Sequence, residues 1–428
     1  MMKSRNGIII SLVLVIVLIF SGISFAAKTV DLTFYFPVQV AGALSVLMDG
    51  IVGEFNVEHP DINVQPVYSG NYDQTMQKAI TSAQGKNAPD VAILLSIGLF
   101  TLRDFDLIED FDQLMIGEDN NFSKSFYPGF MENSVLDGKT WSIPFQRSTP
   151  IFYYNKEHFK EVGLDPGNPP KTWDELLEAA RLLTLRDSKG NVKRWGFEDI
   201  TDDTWTVQAL ILQAGGMYSN PEGTVAYFNS PEVKKAIEFR NALANIERVM
   251  PRHRFYGSAS QDFVAGAASM MFNSTGSLSF VKKSAAFDFG VAPLPKDVKQ
   301  AVPTGGGNFY VFKGISEENK KAAWIFVKWM SQPEISARWS IGTGYIPVRA
   351  DAFETDALKK YVETFPYILV ARDQLAYAYS EMAFHNNSQI REIMLTNLQD
   401  ILDENISIDE GLNKLQEETE TILAPFNK

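Results

Sequence analysis

Residue types able to do acid–base, metal and nucleophilic chemistry are present in this chain but are not spaced for it. The four histidines, His59, His158, His253 and His385, lie far apart and never at a metal-ligand spacing. Gly-x-Ser-x-Gly, the phosphate-binding loop and histidine-centred zinc motifs are all missing. Gly305-Gly306-Gly307 lacks the G-x-G-x-x-G spacing, and β-forming residues follow it where a dinucleotide site needs a helix. Carboxylates abound, yet sequence alone pairs none of them as acid and base. The pattern argues against an enzyme, and neither a cofactor nor a metal is expected.

Groups suited to binding are more informative. Asn273-Ser274-Thr275-Gly276-Ser277 ends one apolar β-forming run and opens a helical one. Hydroxyls and free backbone N–H groups at a helix start suit an anion, and they equally make an ordinary helix cap. Gly70-Asn71-Tyr72 reads as a turn that opens a helix, and Tyr72, Trp205 and Tyr345 stand in loop or boundary contexts. Arg147 and Arg391 are the candidate positive charges. Taken singly, each is as well explained by a surface or ion-paired arginine.

The elements that must position these groups follow from periodicity. Asp31 to Phe36 alternates as a strand, and Leu44, Leu47, Met48, Ile51, Val52 and Phe55 recur at helical spacing. Ile62 and Val64 begin a strand that Pro66 confines to an edge or an end. Residues 72–84 form a helix with Met76, Ala79, Ile80 and Ala83 on one face, and 90–95 is a short apolar strand. This β-α-β-α-β order predicts a helix-covered parallel or mixed sheet. A second α/β set follows, with strands at 151–154, 269–272 and 309–312. Thr172 and Glu175 form a capping-box pattern, Ser230-Pro231 starts a helix, and Ser316 caps another. Near the C-terminus, Ile390, Ile393, Met394, Leu398 and Ile401 lie on one helical stripe.

Lys3 and Arg5 precede an apolar run from Ile8 to Phe20, and Ser24-Phe25-Ala26 offers small residues for cleavage. That is a secretory signal over residues 1–26, and no later stretch is apolar and long enough to span a membrane. With no cysteine, neither a disulfide nor a lipid on cysteine is possible. The net charge of −13 disfavours nucleic acid and anionic membrane as partners. An acidic protein that binds an anion needs a local positive pocket. A chain of 428 residues is too long for one core, so two domains are expected.

Several segments carry a family resemblance. They include Gly70-Asn71-Tyr72-Asp73-Gln74, Pro144-Phe145-Gln146-Arg147-Ser148-Thr149-Pro150, Tyr153-Tyr154-Asn155-Lys156 and Pro169-Pro170-Lys171-Thr172-Trp173. Further on come Ser274-Thr275-Gly276-Ser277-Leu278, Thr343-Gly344-Tyr345-Ile346-Pro347 and Gln389-Ile390-Arg391. In order, they resemble the periplasmic glycerol-3-phosphate-binding proteins of ABC importers, within the wider sugar-binding family that includes maltose-binding protein. The resemblance implies an α/β periplasmic-binding-protein fold of two discontinuous lobes, 27–147 with 306–352 and 148–305 with 353–428. It also implies crossovers near residues 148–150, 305 and 350.

The same resemblance implies that Tyr72, Ser148, Ser274, Gly306, Tyr345 and Arg391 hold the ligand. Trp205 packs on its polyol part, with plain core packing as the competing role. Ser96 stands where the family has a cleft glutamate, Asp202 where it has a second tryptophan, and Arg147 where it has a serine. The implied ligand is sn-glycerol 3-phosphate or a related glycerophosphodiester; an uncharged sugar or oligosaccharide is the alternative. The implied partners are the membrane permease subunits of the importer, and the protein itself is expected to be a monomer in the periplasm.

Overall fold

The computed structural model describes residues 29–40, 43–116 and 122–427, so the expected signal segment lies outside the described residues. The N-terminal β-α-β-α-β run builds a sheet ordered Ile62–Tyr68, Val30–Phe36, Val91–Leu95, Gly305–Val311, Ile143–Ser148. Its first three strands are parallel, and the last two join antiparallel. Pro66 pairs with Phe34 from the edge strand, the place in a sheet where a missing N–H is tolerated. Helix Leu44–Glu58 buries Leu44, Met48, Ile51, Val52 and Phe55 against this sheet. Helix Tyr72–Gln84 starts from a reciprocal capping box. The Asn71 side chain accepts from the Gln74 N–H and the Gln74 side chain from the Asn71 N–H, both at 2.9 Å. That cap fixes where Tyr72 and Asp73 emerge.

The second sheet has Pro150–Asn155 at its centre, antiparallel to Met270–Ser274 and Phe289–Ala292. Helices Trp173–Leu183, Trp205–Gln213, Pro231–Asn241, Asn387–Leu402 and Ile408–Leu423 supply Leu176, Leu210, Ile237, Ile390 and Leu415 to its core. The molecule is thus an α/β protein of two lobes. One local expectation needs correcting. Thr172 caps the Glu175 N–H, but the Glu175 carboxylate accepts from Lys171 rather than from Thr172. The box is therefore open by one residue.

The lobes are joined where strands change sheets. Ile143–Ser148 belongs to the first sheet and Pro150–Asn155 to the second, with only Thr149 between them. Val302–Pro303 pairs in parallel with Ala378–Tyr379, and the chain then enters the first sheet at Gly305. A third passage lies further along the chain. Arg349 still bridges to Phe126, whereas the Tyr367 hydroxyl already donates to the Phe289 carbonyl at 2.9 Å.

Gly306 holds the closest approach at these passages. Its φ is +99°, and a Cβ there would stand 1.8 Å from the Gln146 carbonyl oxygen. Both the left-handed backbone and the contact exclude a side chain. Gly306→Ala is expected to cost about 1–3 kcal/mol or more, seen as a clear drop in melting temperature. Gly129→Ala, with no atom near its would-be Cβ, serves as the control and should stay within about 0.5 kcal/mol.

Candidate functional site

Four elements end at the junction of the lobes: helix Tyr72–Gln84, strand Ile143–Ser148, helix Trp205–Gln213 and strand Met270–Ser274. Their ends, with Gly306, Tyr345, Glu381 and Arg391, line one cavity of about 40 Å³. That volume has room for only a few water molecules. The lobes meet across it. Arg391 Nη1 lies 3.3 Å from Asp73 of the first lobe, and Arg391 Nη2 lies 3.4 Å from Asp203 of its own lobe. Nearby, His385 Nδ1 lies 2.9 Å from Asp104, and Asn133 donates to the Glu381 carbonyl at 3.0 Å. A solute larger than a few waters enters only when these contacts part.

Of the residues singled out in the sequence, Tyr72, Ser148, Trp205, Ser274, Gly306, Tyr345 and Arg391 all line this cavity. The Ser274 side chain caps the following turn by accepting from the Gly276 N–H at 3.0 Å, so the ordinary cap and the cavity wall are the same group. Its hydroxyl proton remains available to donate. Gly276 lets the Tyr345 ring approach, since a Cβ there would sit 2.9 Å from it. Trp205 is buried; its indole N–H donates to the Thr304 carbonyl at 3.0 Å, pinning the ring at a lobe crossover. The Tyr72 hydroxyl and Arg391 Nε are buried without a hydrogen-bond partner.

Arg147, Ser96 and Asp202 do not line this cavity. Arg147 is fully buried, and its guanidinium donates to Asn308, Thr304 and Asn133 at 3.2, 3.1 and 3.4 Å. Strand alternation explains this. Ser148 faces the cavity, so its neighbour must face the opposite side of the sheet. Ser96 opens the turn Ser96–Gly98 and faces a second, larger cavity of about 390 Å³.

The cavity also gathers Gln39, Asp73, Asp203, Tyr256 and Glu381, which the sequence reading did not single out. Asp73 had the signal of a first-turn acid beside Tyr72, and Asp203 precedes Trp205 by two residues. Glu381 lies in the non-periodic stretch before the last helices and had no such signal.

These acids set the electrostatics. Burial would lower the Arg391 pKa, but Asp203, Asp73 and Glu381 outweigh it and raise it, so the guanidinium stays charged. Burial, reinforced by Asp203, pushes Glu381 up to about 8 against the pull of Arg391 and Arg147. Asp202 is pushed up to about 7 by burial and by Asp203. Burial raises the Tyr72 phenol well above its ordinary value and the Tyr345 phenol to about 12, so both stay neutral donors. The arrangement is one fixed cation, several neutral hydroxyls and the proton-retaining Glu381 around a small interlobe cavity, which suits binding a small polar solute.

Comparison with known proteins agrees with this two-lobed cleft. Residues 50–366 match the model of the bacterial extracellular solute-binding protein family, and the chain belongs to that family. It is the solute-binding component of an ABC importer. The sn-glycerol-3-phosphate-binding periplasmic protein UgpB of Yersinia enterocolitica is 30% identical over 353 residues, 79% of each chain. The UgpB of Pectobacterium atrosepticum is 26% identical over 419 residues, covering 94% of this chain and 93% of its own. Among solved structures, UgpB from Mycobacterium tuberculosis in complex with glycerophosphocholine superimposes with a TM-score of 0.82 at 25% identity. It covers 93% of this chain and 99% of that one. Relatives of this kind are periplasmic, and no helix among the described residues is long and apolar enough to cross a membrane.

The Glu381 shift has a measurable sign. An unfolded glutamate titrates near 4.5, so the folded chain retains an extra proton up to about pH 8. Its contribution to stability is full below pH 4.5 and is lost as pH rises through about 8. Glu381→Gln should therefore raise the apo melting temperature relative to the parent more at pH 8.5 than at about pH 5, read by paired thermal melts.

Proposed function

We propose that the protein captures a small glycerol-phosphate ester, sn-glycerol 3-phosphate or a glycerophosphodiester, between its lobes and hands it to the membrane subunits of its importer. The observation that carries this reading is the convergence of Arg391 with the Tyr72, Ser148, Ser274 and Tyr345 hydroxyls and the Gly306 backbone on one cavity. A guanidinium fork flanked by neutral donors matches the planar, acceptor-rich face of a phosphate. The Trp205 ring gives the polyol an apolar wall. In this reading the signal 1–26 is removed, no lipid is attached, and the protein works as a periplasmic monomer. Its lobes divide as 27–147 with 306–352 and 148–305 with 353–428. The acids of the cleft favour one competing solute, an uncharged sugar whose hydroxyls would donate to Asp203 and Glu381.

Asp73 is central to the test. Its side chain is 74% exposed while its carboxylate bridges to Arg391, the place the reading gives to a ligand phosphate. Arg391→Ala should weaken sn-glycerol 3-phosphate by about 30-fold to several thousand-fold, the loss of one buried charge-paired contact. Asp73→Asn should strengthen it by removing a competing anion. Calorimetric titration of both variants, beside melts of their apo forms, checks this. A lower apo melting temperature with affinity within about threefold of the parent would make Arg391 a structural ion pair and favour the sugar.

A further inference from the structure

We propose that His385 and Asp104 form a proton-dependent latch that holds the two lobes together. Neither residue lines the small cavity or the larger one that Ser96 faces. The latch therefore acts on closure itself, whichever solute the cleft takes.

Each partner is fixed by its own lobe. Asp104 ends helix Leu99–Asp104, whose Leu99 and Leu102 are buried with Tyr35 and Tyr310 of the first sheet. His385 follows Phe384, which is buried in the core around the second sheet. The His385 N–H donates to the Gly223 carbonyl at 3.0 Å, and its ring stacks on Phe426 with centroids 4.3 Å apart. Phe100 of the first lobe meets the other side of this junction, 4.7 Å from the imidazole. A Cβ at Gly223 would stand 3.1 Å from the Phe100 ring, so the glycine opens the socket that takes it. Ile97, Phe100 and Ala383 then form one small buried cluster across the junction. The imidazole comes from one lobe and the carboxylate from the other, so their contact exists only with the lobes together.

His385 Nδ1 lies 2.9 and 3.0 Å from the two Asp104 oxygens. A carboxylate only accepts, so Nδ1 carries the hydrogen. Both the neutral Nδ1–H tautomer and the imidazolium can donate it, so the geometry survives a change of pH while the charge does not. Histidine exchanges that charge between about pH 5 and 8, and a charge-assisted hydrogen bond is roughly twice as strong as a neutral one. Protonation therefore favours the closed lobes, and closure weakens as pH rises. The other charged groups on the packed elements are engaged away from the ring. Arg103 lies over Trp141 at 3.6 Å, Glu222 accepts from Asn220 at 2.8 Å, and Arg391 pairs with Asp73 and Asp203. The turn Ala424–Phe426 brings no charged side chain. Glu381, on the same segment as His385, lines the two cavities and titrates nearby in pH, so the test must separate the two groups.

The chain has no cysteine, so two introduced ones report the lobe separation cleanly. Val57→Cys, 82% exposed on helix Leu44–Glu58, and Ile246→Cys, 72% exposed beyond helix Pro231–Asn241, place one spin label on each lobe. Distance distributions are recorded by pulsed electron resonance, with no solute added, at about pH 5.5 and about pH 8.5. In the parent the ratio of closed to open molecules should be about threefold to tenfold higher at the acid pH, the size of one charge-assisted contact. Asp104→Asn and His385→Gln keep size and hydrogen-bonding capacity but cannot form the charged pair. Each should bring that pH effect below about twofold. A parent effect below about twofold, with the lobes indifferent to pH, overturns the latch. So does a larger effect that persists in either variant, which assigns the response to Glu381 or another group. Because no solute is present, either result leaves the glycerol-phosphate reading untouched.

Discussion

The guanidinium of Arg147 ties together the segments on which the two-lobed arrangement depends. It reaches Asn308 in the first sheet, Thr304 at the crossover and Asn133 on the loop that carries the Glu381 contact. Burying a charge so completely is expensive unless it is hydrogen-bonded and faced by compensating charge. Burial depresses its pKa to about 10, and Glu381 is the largest opposing influence. The Phe130 ring, 5.3 Å away, covers one side. On its own strand the Arg147 backbone pairs with Gly306 and Ile346. One side chain therefore fixes the spacing of the crossover strands, and the Ser148 hydroxyl and Gly306 backbone inherit their positions from it.

The cleft on the other side of that brace is acidic, as the whole protein is. Asp73, Asp203 and Glu381 surround the single arginine that lines it. Their cost is contained in two ways. Asp203 and Asp73 pair with Arg391, while burial raises the pKa values of Glu381 and Asp203 toward the neutral form. A carboxyl that holds its proton can donate as well as accept, so this acid-rich site is less hostile to an anion than its residue count suggests.

Much of the frame was legible in the sequence because periodicity and capping are local. Helix Tyr72–Gln84 and the edge placement of the strand bearing Pro66 follow from patterns a few residues long. Half of the cavity wall was legible through the resemblance, and most of those residues stand at or near the ends of elements that meet at the junction. What escaped was set by direction and topology. Adjacent residues 147 and 148 cannot both face the cleft of a sheet, so Arg147 became a brace. Ser96 opens onto a different chamber. Glu381 enters the site only because strand Ala378–Tyr379 pairs with Val302–Pro303, a contact no local pattern encodes. The open capping box at Thr172 likewise turned on which of two neighbouring N–H groups the Glu175 side chain reaches.

Asp73 gives the closing lobes a resident counter-anion. Its carboxylate travels with the first lobe, whereas Arg391 and Asp203 travel with the second. With the lobes together, the guanidinium has two acidic neighbours before any guest arrives. On the glycerol-phosphate reading proposed above, a guest anion trades places with a solvent-facing carboxylate and does not rescue a stranded charge. Binding strength becomes a difference between two anions on one arginine.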